Sequence, residues 1–262
     1  MLTVDRLSKQ YEPFSGRAVV ALKEVAFVIE RRRFVSIVGP SGCGKTTLLK
    51  CVCGLLRPTT GRVLLNGNEV ASPPPEMVLV FQDYNRSLLP WRTLLKNTLL
   101  GVEEKPRLTK AEKHEIAMQA IASVGLKGFE QQYPWQLSGG QQQRAAIARA
   151  LAYQCEILLM DEPFASVDAQ TREDLEDLLL DVWRRFDKTV LFVTHDIDES
   201  IYLSDTVIVL STHPSVVVDE LPIDLPRPRD QLATRENTKF IEYRHHLYAK
   251  IRGERQHPVM PG

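Results

Sequence analysis

The chain is short of most features that would direct it to a particular environment. No apolar run among its 262 residues approaches the roughly 18–20 residues that a bilayer-spanning helix requires. The first residues, Met-Leu-Thr-Val-Asp-Arg, lack the basic-then-apolar order of a secretory leader, so the chain is expected to stay where it is made. Lysine plus arginine (33) balances aspartate plus glutamate (33), which leaves no electrostatic footprint for a nucleic-acid partner. There are four cysteines, Cys43, Cys51, Cys53 and Cys155, in neither a disulfide framework nor zinc spacing. Cys51 and Cys53, two apart on a helix, point in different directions, so reduced thiols are expected. No internal repeat or low-complexity segment is present. What remains is a globular composition, 44% hydrophobic and 25% charged, long enough for one large α/β domain or a domain with an insertion.

The stretch around which the chain is organised is Gly39-Pro-Ser-Gly-Cys-Gly-Lys-Thr-Thr47. It fits the G-x-x-x-x-G-K-[ST] pattern, and its flanks are right for it. Phe34-Val-Ser-Ile-Val38 reads as a buried parallel strand, and Thr47–Cys53 can run as a helix. Glycines let the backbone curl so that successive N–H groups point inward, and the helix start adds partial positive charge. Gly39, Ser41, Gly42, Cys43, Gly44 and Thr47 thus form a phosphate cradle. Lys45 can reach the outer phosphates, and the Thr46 hydroxyl can ligate Mg²⁺.

Strands are expected at Leu2–Asp5, Ala18–Leu22, Val25–Ile29, Arg62–Gly67, Met77–Phe81, Glu156–Met160, Thr189–Thr194 and Thr206–Leu210. Tyr11 and Phe14 lie in a polar connection, where an aromatic can stack on a flat base or pack at a sheet edge. Ligands of parallel α/β sheets bind outside the carboxyl ends of the strands, and three such ends carry chemistry. The first delivers Gln82, placed to reach a metal ion or an attacking water. The second delivers Asp161-Glu162, adjacent carboxylates that are costly without a counter-charge. A Mg²⁺–nucleotide supplies one, with Asp161 on the ion and Glu162 orienting or deprotonating water. The third delivers His195, with Asp196 able to cap the following helix.

Between Leu94 and about Ala152 strand-like runs vanish. Lys110–Val124 and Gln141–Ala152 have helical spacing, so this stretch reads as a helical insertion. Inside it, Leu137-Ser-Gly-Gly-Gln141 enters a helix and offers a second phosphate-holding turn. Pro214–Pro228 is expected as a proline-rich connection, residues from about 234 to 251 as an amphipathic helix, and Arg252–Gly262 as a loose tail.

Taken together these motifs resemble the ATP-binding cassette (ABC) ATPases over nearly the full chain. The matches are Gly39–Thr47 (Walker A), Phe81-Gln82 (Q-loop), Leu137-Ser-Gly-Gly-Gln141, Ile157–Glu162 (Walker B), Ser166-Val-Asp168 (D-loop) and Thr194-His195 (H-loop). The resemblance implies an α/β P-loop NTPase core with an antiparallel β subdomain and an inserted α-helical subdomain. The expected boundaries are residues 1–215 for the ATPase domain, the insertion at about 90–152, and 216–262 for a short C-terminal extension with one helix.

It further implies ATP and Mg²⁺ as ligands. Lys45 and the loop amides would hold the β- and γ-phosphates, Thr46 and Gln82 the ion, with Asp161 supporting it. Glu162 would be the general base, His195 would contact the γ-phosphate, and Tyr11 would stack on adenine. Ser138, Gly139, Gly140 and Gln141 would act on the nucleotide of a second copy in a head-to-tail dimer. Alkylation of Cys43 is then expected to block nucleotide binding, and bound ATP to protect the thiol.

Val80–Trp91, Asp161–Arg172 and Leu221–Arg229 are most similar to the ATPases of bacterial nitrate/sulfonate/taurine-type importers. That implies separate transmembrane permease subunits, indirectly an external solute-binding protein, no nucleic acid, and a peripheral position on the cytoplasmic face of the inner membrane. Leu88, Leu89, Pro90 and Trp91 are the expected docking surface for the permease. The alternatives are a soluble ABC ATPase of DNA repair or translation, and an exporter ATPase. One departure is Arg31-Arg-Arg33, where relatives usually carry Gly-Glu, so this turn is open to another backbone shape.

Overall fold

The computed structural model of the protein describes residues 1–12, 18–81 and 87–256, with side chains described up to residue 253. The chain divides into two compact units, Met1–Pro74 together with Thr189–Gly262, and Pro75–Lys188.

The first unit holds two sheets. One is antiparallel, built from β1 (Leu2–Tyr11), β2 (Val19–Ile29), β4 (Thr60–Leu65) and β5 (Asn68–Glu69) in the order β2-β1-β4-β5. Leu2, Val4 and Leu7 of β1 and Leu22, Val25, Phe27 and Ile29 of β2 are buried. Alternation with polar neighbours leaves the other face wet. The separate strands expected at Ala18–Leu22 and Val25–Ile29 are one: Glu24, at φ 49, carries the chain through a bulge and donates its N–H to Ser8 Oγ at 2.9 Å.

The other sheet of this unit contains β3 (Phe34–Val38), β8 (Thr189–Val193), β9 (Thr206–Leu210) and β10 (Val217–Pro222). β3 runs parallel to both β8 and β9, and β10 closes antiparallel on β9. β3 and β8 are buried along their whole length, as continuous apolar runs in parallel sheets are. β10 lies inside the stretch expected as a proline-rich connection. Its pairing ends at Pro222, which sits opposite Thr206, a position where a missing N–H is tolerated. The helices are α1 (Lys45–Val52), α6 (Ile197–Leu203) and α7 (Thr238–Gln256). α7 buries Phe240, Leu247 and Ile251 and runs past Arg252, where a loose tail was expected.

The Arg31–Arg33 turn is made without glycine. Arg32 itself adopts φ 63 and donates its N–H to Thr189 Oγ1 at 2.9 Å.

The second unit pairs β6 (Met77–Val80) in parallel with β7 (Ile157–Asp161). Its helices are α2 (Leu94–Glu103), α3 (Lys110–Ser123), α4 (Gly139–Ala152) and α5 (Ala169–Arg185), with a 3₁₀ turn at Pro134–Gln136. α2, α3 and α4 pack on one another, which makes the 94–152 stretch helical as its spacing indicates. Gly101 is the point of closest approach: a Cβ there would lie 2.6 Å from Arg149 O and 2.7 Å from Tyr153 N. Across the described residues the α/β class with a separate antiparallel sheet and a helical insertion is the class expected from the sequence.

Candidate nucleotide site

β3 ends at Val38 and the chain turns at once. Gly39 has no room for a side chain, since a Cβ would lie 2.9 Å from Leu210 O and 3.0 Å from Cys43 Sγ. Gly44 takes φ 103 as the residue before α1, a conformation that glycine reaches without strain. Helices α2 to α6 each begin with a side-chain cap, from Thr93, Thr109, Ser138, Asp168 and Asp196 respectively. α1 has none. Its first N–H groups therefore face the loop with no side-chain acceptor, which is the geometry of an anion site.

Lys45 is 5% exposed, and its ammonium donates to the loop's own carbonyls, Gly39 O at 2.9 Å and Pro40 O at 3.1 Å. Those two contacts hold a buried positive charge over the loop. Ser41, Gly42 and Thr46 are exposed, and Thr47 is half-buried. Tyr11 reaches the same helix, its hydroxyl 3.3 Å from Thr47 Oγ1, and the residue is 42% exposed. Phe14 lies outside the described residues.

Cys43 faces inward. It is 2% exposed, and burial, partly countered by the Lys45 charge, pushes its thiol above the ordinary range. Ser215, fully buried, donates its hydroxyl to Cys43 O. Ser215 also receives and gives backbone bonds on β2, from its N–H to Ala21 O (3.1 Å) and from Lys23 N to its carbonyl (2.9 Å). The phosphate loop is thus pinned from below by a residue far along the chain.

The parallel register of β3 and β8 pairs Ile37 with Val193, so the two strands finish together. Thr194, buried, donates its N–H to Ile37 O at 3.1 Å. The next residue, His195, is exposed and lines one pocket of about 520 Å³ with Gly39 and Ser41. Asp196 caps α6 by accepting from Glu199 N at 3.1 Å. The structure therefore brings Tyr11, Gly39–Thr47 and His195 together within the first unit.

In the second unit β7 delivers Asp161, 5% exposed, and then Glu162, half-buried. Glu162 adopts φ 43, a left-handed conformation that costs a non-glycine residue roughly 1–2 kcal/mol. Strain of this kind concentrates where a side chain must be aimed. The Leu137–Gln141 turn enters α4 through a reciprocal capping box. Ser138 Oγ accepts from Gln141 N (3.3 Å), and Gln141 Oε1 accepts from Ser138 N (2.9 Å). Ser138 and Gly139 are exposed, and the Ser138 hydroxyl proton is still available to an acceptor outside the turn. Gly140 passes close to α5: a Cβ would lie 2.5 Å from Thr171 Cγ2. Gln82 lies outside the described residues.

The expected docking segment needs one correction. Leu88 is 1% exposed and belongs to the core of the second unit. Asn97 fixes this loop, accepting from Leu89 N (2.8 Å) and donating to the carbonyls of Leu89, Arg92 and Thr93. Pro90 and Trp91 are what it presents outward, Trp91 at 71% exposure.

Two further groups of contacts have no role assigned from the sequence. Arg227 Nη2 donates to Leu203 O and Asp205 Oδ1, both at 2.9 Å. Arg229 donates to the carbonyls of Ile201, Tyr202 and Ser204. Together they satisfy the carboxyl end of α6, where cations are favoured. Arg244 makes a two-pronged contact with Asp198 at the start of α6, at 2.6 and 2.7 Å.

A family model described as ABC transporter matches residues 22–165. An uncharacterized ABC transporter ATP-binding protein of Methanocaldococcus jannaschii is 49% identical over 253 residues, covering 97% of this chain and 92% of its own. The taurine import ATP-binding protein TauB of Pseudomonas entomophila is 38% identical over 98% of both chains. Among solved structures, a dimeric ATP-binding cassette in a post-hydrolysis state bound to ADP and Pi superposes with a TM-score of 0.75. It is 33% identical and covers 86% of this chain and all of its own. An uncapped, glycine-turned helix start with a buried lysine above it, matched by these relatives across nearly the whole length, places this chain in the ABC transporter family as an ATP-binding cassette.

Proposed function

We propose that the chain is the ATP-hydrolysing subunit of an importer for a small anion such as nitrate, a sulfonate or taurine. The observation that carries this reading is the start of α1, the helix among α1 to α6 that lacks a side-chain cap, with Lys45 held above it. Its amides and the ammonium receive the β- and γ-phosphates, with Gly39, Ser41, Gly42, Cys43, Gly44 and Thr47 shaping the cradle. Tyr11 supplies an aromatic face for adenine. Thr46, Gln82 and Asp161 would hold Mg²⁺, which would supply positive charge to offset that of the phosphates. Glu162 accepts a proton from the attacking water as its oxygen bonds to the γ-phosphorus and the bond to ADP breaks. His195 contacts the same terminal phosphate.

Two copies close head to tail, each presenting Ser138, Gly139, Gly140 and Gln141 to the other's nucleotide. In each, residues 1–215 form the ATPase domain with its insertion at about 90–152, and 216–262 the C-terminal extension. Separate permease subunits dock at Pro90 and Trp91, and the chain sits peripherally on the cytoplasmic face of the inner membrane. An external solute-binding protein selects the cargo. Among the described residues no helix is long and apolar enough to cross a membrane, in keeping with permease spans on other chains. TauB, matched end to end, is named for taurine import, which favours this reading over an exporter or a soluble repair or translation ATPase.

Glu162→Gln tests the assignment. It is expected to bind ATP, to lower kcat at least about 100-fold as loss of a general base does, and to elute as a dimer with ATP. Wild-type turnover in this variant would remove Glu162 from the role of base.

A further inference from the structure

The pocket that holds Gly39, Ser41 and His195 is closed on its other side by α7, through Tyr248, Ile251 and Arg252. No motif reaches this helix, yet its placement is firmly fixed. Phe240 and Leu247 are fully buried and Ile251 nearly so. Arg244 clamps Asp198 through both guanidinium nitrogens that reach it, and Asp198 lies three residues after His195 on the helix that Asp196 caps. Arg244, Tyr248 and Arg252 follow one another at i, i+4 and i+8, so they share one face. The same face that grips the first turn of α6 therefore ends at the phosphate loop. The Arg252 guanidinium lies 5.9 Å from the centre of the Tyr248 ring, a contact that steadies it beside the pocket.

The lining has the charge of an anion site. Ser41 offers a hydroxyl, His195 an imidazole and Arg252 a permanent cation, and among the described residues none lining the pocket is acidic. It takes in Gly39 and Ser41 of the loop that leads into the uncapped start of α1, together with His195. A triphosphate held at the α1 amides carries one more phosphate than a diphosphate, and Ser41, His195 and Arg252 are groups of this lining able to receive it.

We propose that Arg252 is a further phosphate-binding residue, which contacts the terminal phosphate alongside Ser41 and His195, so that α7 distinguishes triphosphate from diphosphate. This rests on the nucleotide reading of the phosphate loop. Guanidinium is suited to the task because it stays charged and can donate two parallel bonds to phosphate oxygens. The clamp through Arg244 gives α7 the rigidity to hold it there.

The test is equilibrium binding of ATP and of ADP to the full chain by calorimetry, with EDTA present so that no hydrolysis occurs. Wild type, Arg252→Ala and Arg252→Lys are compared. Arg252→Ala is expected to weaken ATP roughly tenfold, the worth of one charge-assisted hydrogen bond, and to leave ADP within about twofold. Arg252→Lys, which keeps the charge but loses the fork, is expected to fall between. Arg252 is exposed, so these variants are expected to fold, and a thermal melt checks it. Equal losses for ATP and ADP would mean that Arg252 only supports the loop, and the proposal would fall. Unchanged ATP affinity would also overturn it, as would tighter ATP binding, which would make α7 an obstruction. If wild type binds neither nucleotide, in EDTA or with Mg²⁺ restored, the ATPase reading itself fails and takes this inference with it. If wild type binds both and Arg252→Ala does not discriminate, only the inference fails.

Discussion

In the folded protein the thiol of Cys43 is expected to resist N-ethylmaleimide, although it lies in the middle of the phosphate loop. Two effects multiply. Only the thiolate reacts, and burial raises the Cys43 thiol above its ordinary value, so near neutral pH the unreactive thiol form dominates. The second effect is access. At 2% exposure, with its N–H on Pro40 O and its carbonyl held by Ser215, Cys43 cannot meet the reagent unless the loop opens. An opening that costs about 4 kcal/mol slows the reaction about 1,000-fold. The remaining cysteines behave alike. All are buried, and burial pushes Cys51 and Cys155 up to about 11. The assay is maleimide labelling over time, mapped by mass spectrometry, in native buffer and in guanidinium. Native labelling should be at least about 100 times slower at all four sites. Its rate should rise as pH increases through 9, because more thiolate forms. Bound ATP should slow Cys43 further, and modified protein should not bind nucleotide. The raised values also set a stability window: thiols that are neutral when folded favour the native state below about pH 9, and that contribution is lost between about 9 and 11. Labelling of Cys43 within tenfold of its rate in guanidinium would refute the argument, because the thiol would then be open to solvent.

Two stability predictions follow from backbone geometry. Gly101→Ala places a methyl 2.6 Å from Arg149 O, so α2 must move off α4, and urea unfolding should show a loss of about 1–3 kcal/mol; a change below about 0.5 kcal/mol would mean that the helices are not packed this closely. Arg32→Gly relieves a left-handed arginine and should raise stability by about 0.5–1 kcal/mol in the same assay, whereas a loss would show that the Arg32 side chain contributes more than its backbone strain costs.

The site was legible where its chemistry is local. A glycine turn, a lysine and a helix start occupy consecutive residues, and strands β3, β7 and β8 announce their ends by apolar runs that stop at Gly39, Asp161 and His195. The helical insertion was equally plain, since capping residues such as Thr109 and Glu112 sit three apart in sequence as well as in space. Contacts closed over long chain separations left no such mark. Ser215 supports Cys43 from 172 positions away, and Arg244 finds Asp198 46 positions back. Tyr248 and Arg252 look like ordinary polar residues of an amphipathic helix until the fold sets them beside Ser41. Leu88 shows the converse failure: an apolar run names residues that want cover, but only the loop shape imposed by Asn97 decides that Leu88 goes inward and Trp91 outward. The left-handed Glu162 is likewise invisible in a one-dimensional pattern, because glutamate has no preference that would foretell it.

The paired arginines Arg227 and Arg229 have a practical meaning for anyone exchanging parts between cassettes. They seal the end of the helix that begins beside His195, so the segment after β10 serves as a buckle on the scaffolding of the candidate site. A chimera that replaces residues beyond 221 while keeping 196–205, or the reverse, would leave four carbonyls at Ile201–Ser204 without their donors. Splice points in this protein belong before Asp196 or after the closing helix, and nowhere between.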